Sequence, residues 1–404
     1  MQRVLVTGGA GFIGSHFVRM VRERHPEWQV VNLDLLTYAA SLDNLEAVLG
    51  RQERGAPQVD ARPRTGGGPE ASARRREDVA PPGEGEATAG LGYGERLVGR
   101  DPGHVLVRGD VADGELVGRL FEEFGFELVV HFAAESHVDR SILDAAPFMR
   151  TNVEGTRVLL EAARRAGVRR FVQVSTDEVY GDREGLEAAD EEAALRPSSP
   201  YAASKAAGDL LALAYHRTFG VPAVVTRSCN NYGPHQFPEK LVPLMIWKAA
   251  AGEPMPVYGD GRQRREWVFV EDNCEAILRA AEAGRPGAVY NIGTGRAVPN
   301  LEMVEAIAQR VAKRLGRPAE AVRGLITFVK DRPGHDRLYA MAGERARREL
   351  AWEPRVGLEE GLDRTVEWYL RRLERVRAVV GGEPQRRYYE AVYERGWEGG
   401  RGGR

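Results

Sequence analysis

Through roughly the first 230 positions, short apolar runs rich in Val and Leu alternate with longer stretches in which apolar residues recur every three or four positions. The short runs fall at 4–7, 30–33, 105–107, 128–131, 171–174 and 223–227. They are apolar on successive residues, the pattern of a strand with helices packed on both faces of its sheet. The helical stretches run from 12 to beyond 21, from 42 to 49, from 115 to 124, from 144 to 166 and from 200 to 219. Strand and helix alternate, and right-handed crossovers then predict an α/β fold built on a doubly wound parallel sheet.

Beyond position 235 the pattern changes to short helices, short strands and turns: a helix over 240–251, apolar runs at 256–258 and 267–270, a helix from 271, and Tyr290-Asn291-Ile292-Gly293. This predicts two interleaved units, 1–235 carrying the main sheet and 236–370 forming a smaller domain folded back over it. Two stretches fit neither. From 51 to 103 the chain is dominated by Arg, Gly, Pro, Glu and Ala, a composition that buries too little apolar surface to offset its ordering entropy, so disorder is expected. From 371 to 404 charged residues alternate with Leu, Val, Tyr and Trp before GGRGGR, a charged surface tail to which no chemistry is assigned.

Charge removes some classes of function. The 57 Lys and Arg against 59 Asp and Glu leave a net charge of -2, so no general field favours nucleic acid or an anionic membrane. No apolar run approaches the roughly 20 residues of a membrane span, and the chain enters its first strand at once, so no signal segment is expected ahead of it. Cys229 and Cys274 are the only cysteines, which argues against a disulfide framework and for a reducing, cytoplasmic setting. No metal site is expected.

The candidate chemistry sits at the ends of the predicted strands. Gly8, Gly11 and Gly14 follow the first strand and open a helix. This spacing permits a tight turn, close approach of a pyrophosphate and an anion at the helix N-terminus. Asp34 ends the second strand about twenty residues after Gly14, where a carboxylate accepts both adenosine ribose hydroxyls and repels a 2′-phosphate; this reads as NAD in preference to NADP. Asp110 follows the third strand, placed for an adenine amino group. Phe132, Ala133 and Ala134 end the fourth, where small side chains let a cofactor lie close. Thr176, Asp177 and Glu178 end the fifth, a hydroxyl and two carboxylates facing whatever binds there. Tyr201 and Lys205 stand four apart on one helical face, where the ammonium is expected to lower the phenol pKa. Alone, Tyr and Lys at this spacing are better explained by chance pairing on a solvated helix; behind a dinucleotide turn they read as catalytic. His131 reads as a packed strand residue, and His137 fits either role. Lys240, Arg265, Arg332, His335 and Arg337 are basic residues suited to a diphosphate clamp.

These residues, with TGGAGFIG at 7–14, YAASK at 201–205, LLTYAASLDNLE, AAESHVDRS, STDEVYG, NNYGPHQFPEKLVPL, DRPGHDRLYA, ELAWEP and TVEWYL, resemble the extended short-chain dehydrogenase/reductase family, within it the members that dehydrate nucleotide sugars. The likeness spans most of residues 1–370 outside the 51–103 insertion. It implies a Rossmann fold, tightly bound NAD regenerated in each cycle, dTDP-glucose as substrate, and a homodimer formed through the helices near 144–166 and 200–219. It implies catalytic roles for Thr176, Asp177, Glu178, Tyr201 and Lys205. NAD contacts are implied for Gly8, Gly11, Phe12, Ile13, Gly14, Asp34, Leu35, Thr37, Asp110, Val111, Phe132, Ala133, Ala134, Ser136, Thr151, Tyr201, Lys205 and Asn231. Substrate contacts are implied for Ser136, Thr176, Asn230, Lys240, Leu241, Pro256, Val257, Tyr258, Arg265, Asn300 and the run Asp331, Arg332, Pro333, Gly334 and His335. Departures from the pattern are Glu266, Val268, Ala351 and the order Ser228-Cys229. A nucleotide-sugar 4-epimerase shares the fold, NAD, Tyr and Lys but has no elimination to perform, so the Asp177-Glu178 pair speaks against it. A silent NAD-sensing scaffold is disfavoured because Tyr201 and Lys205 are both present.

Overall fold

A computed structural model describes residues 2–50 and 91–394. The first part of the chain runs β1 (Arg3–Thr7), α1 (Phe12–Arg24), β2 (Gln29–Asp34), a 3-10 turn (Leu42–Leu45) continuing as α2 (Glu46–Leu49), β3 (Arg96–Val98), β4 (His104–Arg108), α3 (Gly114–Phe124) and β5 (Leu128–His131). There follow α4 (Val138–Leu143), α5 (Ala146–Phe148), a π-helical stretch (Met149–Gly155), α6 (Thr156–Ala166), β6 (Arg170–Thr176), α7 (Pro200–Phe219), β7 (Ala223–Ser228) and β8 (Asn230–Tyr232). The later part comprises α8 (Leu241–Ala251), β9 (Met255–Tyr258), β10 (Arg264–Phe269), α9 (Val270–Ala283), β11 (Val289–Ile292), β12 (Ala297–Pro299), α10 (Asn300–Leu315), α11 (Ala319–Arg323) and β13 (Ile326–Val329). It ends in α12 (Glu344–Leu350), α13 (Leu358–Leu370), α14 (Leu373–Val380) and α15 (Glu383–Tyr389).

The main sheet has the order β11-β7-β6-β5-β1-β2-β4-β3, parallel throughout except for the β3 edge. Its direction of growth reverses between β1 and β5, the doubly wound topology that opens a crevice beyond the strand ends. Alternation along each strand divides the core. Val4, Val6, Val30, Val130 and Val172 meet α1 and α9, while Leu5, Val31, Val129, Phe171 and Val225 meet α3, α6 and α7. Each fully buried aliphatic side chain contributes about 1.5–3 kcal/mol, so a sheet covered on both faces anchors the strand ends firmly. A third core gathers α8, α10, α13 and the sheet β12-β10-β8 into the smaller unit, whose second, two-stranded sheet pairs β13 with β9.

Several elements differ from expectation. The helix read over 144–166 is interrupted: Asp144 is extended, and Met149–Gly155 is π-helical before α6 begins. The run at 290–293, read as part of the smaller domain, forms β11 and extends the main sheet by pairing with β7, and α9 packs against α1, so the two units interleave more deeply than a boundary at 235 implies. Of the segment expected to be disordered, 51–90 lies outside the described residues. The remainder is built into the fold: Leu91 and Leu97 are buried, and β3 pairs antiparallel with β4. The tail, read as surface, forms α14 and α15 with Tyr388 and Val392 buried.

Candidate active site

β6 delivers its last residues to the crevice because its apolar run ends there in a hydrogen-bonded turn. Thr176 caps the 3-10 turn Asp177–Tyr180: its Oγ1 accepts from the Glu178 amide at 3.3 Å and donates to Asp177 Oδ1 at 3.1 Å. Asp177 is buried and Glu178 partly so, with Glu178 Oε2 lacking a hydrogen-bond partner. Burial, followed by the charge of Glu178, raises the Asp177 pKa well above the carboxylate range. Burial also raises Glu178, but Arg332, Lys240 and Arg265 oppose it. The pair is therefore split by surroundings, one carboxyl favouring its proton and the other facing three cations.

α7 brings up the phenol and ammonium. Ser199 accepts from the Ala202 amide at 3.1 Å and Pro200 occupies the first turn, a strong helix start. Tyr201, Lys205 and Asp209 follow at intervals of four, all buried. Asn152, in the π-helical stretch, ties the region together: it accepts from the Glu135 amide at 2.9 Å and donates to the Glu135 carbonyl at 3.0 Å and to Ser204 Oγ at 2.8 Å. The expectation that Lys205 lowers the Tyr201 pKa is not met. Burial, Glu178 and Asp177 all push the phenol upward, whereas Lys205 donates to the Val174 carbonyl at 2.6 Å. Burial pulls the Lys205 ammonium down to about 8, with Asp209 opposing. Asp209 is held in turn by Arg227 at 2.9 Å.

The opposite side of the crevice fits a dinucleotide. Gly8 has φ +72, and a Cβ there would lie 2.6 Å from the Ala133 amide nitrogen; at Gly14 it would lie 2.3 Å from the Gly8 carbonyl. Only glycine leaves this cradle open for a pyrophosphate at the start of α1. Asp34 Oδ2 accepts from the Ala10 amide at 2.9 Å and Oδ1 from the Leu36 amide at 2.8 Å, fixing a buried carboxylate at the end of β2 with lone pairs left for a ribose. Phe12 and Ile13 at the start of α1 and Leu35 and Thr37 just after β2 are partly buried. Asp110 caps the turn after β4 by accepting from the Ala112 amide at 2.8 Å, and also takes Arg150 at 2.7 Å, beside buried Val111. Phe132, Ala133 and Ala134 follow β5, and Thr151 lies in the π-helical stretch. Asn231 donates to the Cys229 carbonyl and leaves its buried Oδ1 unpartnered.

The smaller unit faces this crevice with the cations. Lys240 Nζ reaches the Ser136 carbonyl at 2.7 Å, and Leu241 begins α8 beside it. Arg265, 4% exposed, donates to the Arg264 and Asp336 carbonyls, with its guanidinium 4.0 Å from the Tyr339 ring centroid. Arg332 donates to Asp139 at 3.2 Å and keeps a buried Nε without a partner; Asn300 Oδ1 is likewise unpartnered. His335 meets Asp331 at 2.6 Å, and Gln263 Nε2 reaches that carboxylate at 2.8 Å. Pro256, Val257 and Tyr258 end β9, while Pro333 and Gly334 are exposed at the tip of the loop after β13. Asn230 begins β8. Arg337 stands apart, paired with Asp260 on the surface. His131 is a packed strand residue between Thr7 and Thr156, and His137 is buried against the Glu239 carbonyl and Tyr388.

The sequence reading missed three contributors. Asn152 has no role in that reading beyond its place in the 144–166 helix, Asp139 none inside the run AAESHVDRS, and the tail no chemistry. Tyr393 of the tail stacks on Tyr258 with centroids 5.6 Å apart, and Tyr388 donates to Asp139 at 2.9 Å. Tyr388 and Tyr389, with Tyr393 one helical turn beyond Tyr389, are the available signal. Among the described residues no cluster of His, Cys, Asp or Glu is arranged to hold a metal.

The chain is 42% identical to dTDP-glucose 4,6-dehydratase of Xanthomonas campestris over 94% of its own length and 96% of that protein's. Its fold matches the crystal structure of DesIV, a dTDP-glucose 4,6-dehydratase from Streptomyces venezuelae with NAD and TYD bound, at a TM-score of 0.73, 41% identity, and coverage of 92% of this chain and 97% of that one. It also matches UDP-glucose 4-epimerase from Thermotoga maritima at a TM-score of 0.72 but only 27% identity, covering 92% of this chain and all of that one at 100%. The model of the NAD dependent epimerase/dehydratase family matches residues 4–293, well over half the sequence. By that match, with a relative 42% identical along nearly its whole length, the chain belongs to the NAD dependent epimerase/dehydratase family.

Proposed function

We infer that the chain is a hydro-lyase that converts dTDP-glucose to dTDP-4-keto-6-deoxyglucose and water. The observation that carries this reading is the pair Asp177 and Glu178 at the end of β6, adjacent in sequence and both raised by burial, with Arg332, Lys240 and Arg265 opposing that rise at Glu178. Elimination across carbons 5 and 6 needs one acid and one base at the same time beyond the base at the carbon 4 hydroxyl, and an epimerisation at carbon 4 has no such elimination to perform.

Tyr201 takes the proton from the carbon 4 hydroxyl, which Thr176 orients. NAD, which the glycine turn at Gly8, Gly11 and Gly14 and the carboxylate of Asp34 would hold, would supply the hydride acceptor for oxidation at carbon 4 and the hydride donor at carbon 6, with no net consumption. With a ketone at carbon 4, the carbon 5 hydrogen becomes acidic, and Glu178 removes it. Asp177, whose surroundings favour its protonated form, donates to the leaving carbon 6 hydroxyl, releasing water. Glu178 then returns a proton to carbon 5. Protonation of Asp177 also removes one of the charges that raise the Tyr201 pKa, so the acid needed for elimination eases the first deprotonation. Lys205 holds positive charge beneath the site. Lys240, Arg265 and Arg332 supply the charge for a diphosphate, and the unpartnered Arg332 Nε and Asn300 Oδ1 supply polar atoms awaiting a ligand.

Large apolar side chains stand exposed on the two stretches expected to pair subunits: Met149 at 43%, Leu210 at 58% and Phe219 at 53%. They support a homodimer formed through α7 and the π-helical stretch with α6. Buried, unpaired Cys229 and Cys274 suit the cytoplasm. No described helix is long and apolar enough to cross a membrane.

The test is incubation of purified protein with dTDP-glucose. A 4-keto-6-deoxy product, seen by its alkaline absorbance and formed without added NAD, is the expected result. Formation of a 4-epimer without loss of water would reverse the assignment. Glu178→Gln should still permit the carbon 4 oxidation, visible as cofactor reduction, while lowering product formation by about 10²–10⁴-fold.

A further inference from the structure

Asp139 lies one residue into α4, 2% exposed, and belongs to none of the chemistry above. Its carboxylate joins four separate parts of the chain. Oδ2 accepts from Tyr258 Oη at 2.8 Å, at the end of β9, and from Tyr388 Oη at 2.9 Å, in α15. Oδ1 accepts from Arg332 Nη1 at 3.2 Å, in the loop after β13. Tyr258 is further confined between the His335 ring edge at 5.9 Å and the Tyr393 face at 5.6 Å.

The geometry of Arg332 gives this hub its meaning. A guanidinium is a rigid fork, so fixing one nitrogen fixes the direction of the others. Nη1 is spent on Asp139, whereas Nε is buried and has no hydrogen-bond partner. A buried donor without a partner is costly, and it is retained where a ligand completes it. Three donors from three segments also require an acceptor with more lone pairs than a single amide oxygen provides.

We propose that Asp139 is a positioning residue for the nucleotide half of the site, registering Arg332 and Tyr258 against one another and drawing the tail onto them through Tyr388. The proposal rests on the nucleotide-sugar reading above. It places the main effect of Asp139 on binding of the nucleotide; Asp139 reaches Glu178 only through the charge of Arg332, which either variant leaves in place.

The experiment compares wild type, Asp139→Asn and Tyr388→Phe as full-length protein. It measures steady-state kinetics with dTDP-glucose, calorimetric titration with dTDP alone, and NAD retained on purification. Asp139→Asn should raise KM for dTDP-glucose and Kd for dTDP about tenfold each, with kcat within about twofold and NAD content unchanged. Tyr388→Phe should raise both about threefold. A variant pair that binds dTDP as wild type does overturns the proposal, as does a fall in kcat with KM and Kd unmoved. If Asp139→Asn fails to fold, Tyr388→Phe decides alone by the same two readouts. A wild-type protein that takes no dTDP overturns the functional reading and this inference with it; wild-type binding with unmoved variants overturns this inference only.

Discussion

Asp177 and Glu178 differ by one methylene and one position, yet the proposed reaction gives them opposite tasks. Because burial raises both, with Arg332, Lys240 and Arg265 opposing it at Glu178 while at Asp177 burial and the Glu178 charge outweigh Arg265, kcat should follow a bell in pH: the acid limb reports Glu178 losing its proton and the basic limb Asp177 losing its own. Asp177→Asn should lower kcat at least about 100-fold and abolish that basic limb, measured by initial rates across pH. It should also stabilise the fold. A carboxyl whose native pKa lies above its unfolded value binds more protons when folded, so stability falls as pH rises from the ordinary carboxylate range toward the raised native value. Asparagine removes this penalty. The variant should melt about 2 °C or more above wild type at pH 8, with the difference shrinking toward pH 4, by calorimetry.

At the scale of elements, two local irregularities stand out. Ala351, where glycine is usual, ends α12 in the left-handed region at φ +50. A Cβ there costs about 1 kcal/mol, and Ala351→Gly should recover part of it, raising the denaturation midpoint with activity unchanged. The π-helical stretch Met149–Gly155 breaks a helix that residue spacing alone predicts as continuous. Its widened turn presents Asn152 to both the Glu135 backbone and Ser204 of α7, so it joins the end of β5 to the helix that carries Tyr201. The other departures from the family pattern are absorbed locally. Glu266 accepts from the amides of Thr294, Gly295 and Met341, and Val268 is buried in the core.

At the scale of the whole molecule, the interleaving of the two units is held by contacts that no short window of sequence contains. Arg227 of β7 pairs with Asp209 of α7 at 2.9 Å and donates to Tyr180 Oη at 2.8 Å, while Tyr180 donates to Asn291 of β11 at 2.7 Å. Arg227→Met should cost about 3–5 kcal/mol by denaturant melt, because it leaves Asp209 buried and uncompensated beneath Lys205. The exposed apolar side chains of α7 make a separate prediction. In the dimer proposed above, Leu210→Glu should shift the protein to monomer in light scattering without altering the melting of the monomer core.

What the sequence by itself determined was whatever local period and spacing encode. The six strands, the glycine turn, the start of α7 after Ser199 and Pro200, and the placement of Thr176 to Glu178 at a strand end all follow from neighbours within a few residues of each other. Apolar periodicity and turn chemistry are short-range properties, so they survive in a single chain read in order. Tertiary structure decided what depends on distant partners. It joined β11 to the main sheet, brought the segment from Leu91 to Val98 onto the sheet edge, and laid the tail tyrosines on Tyr258 and Asp139. It also reversed the expected influence on Tyr201, since burial and two carboxylates outweigh an ammonium turned toward the Val174 carbonyl. Electrostatics in a buried site depend on every charge within reach in space, and only the folded chain fixes which charges those are.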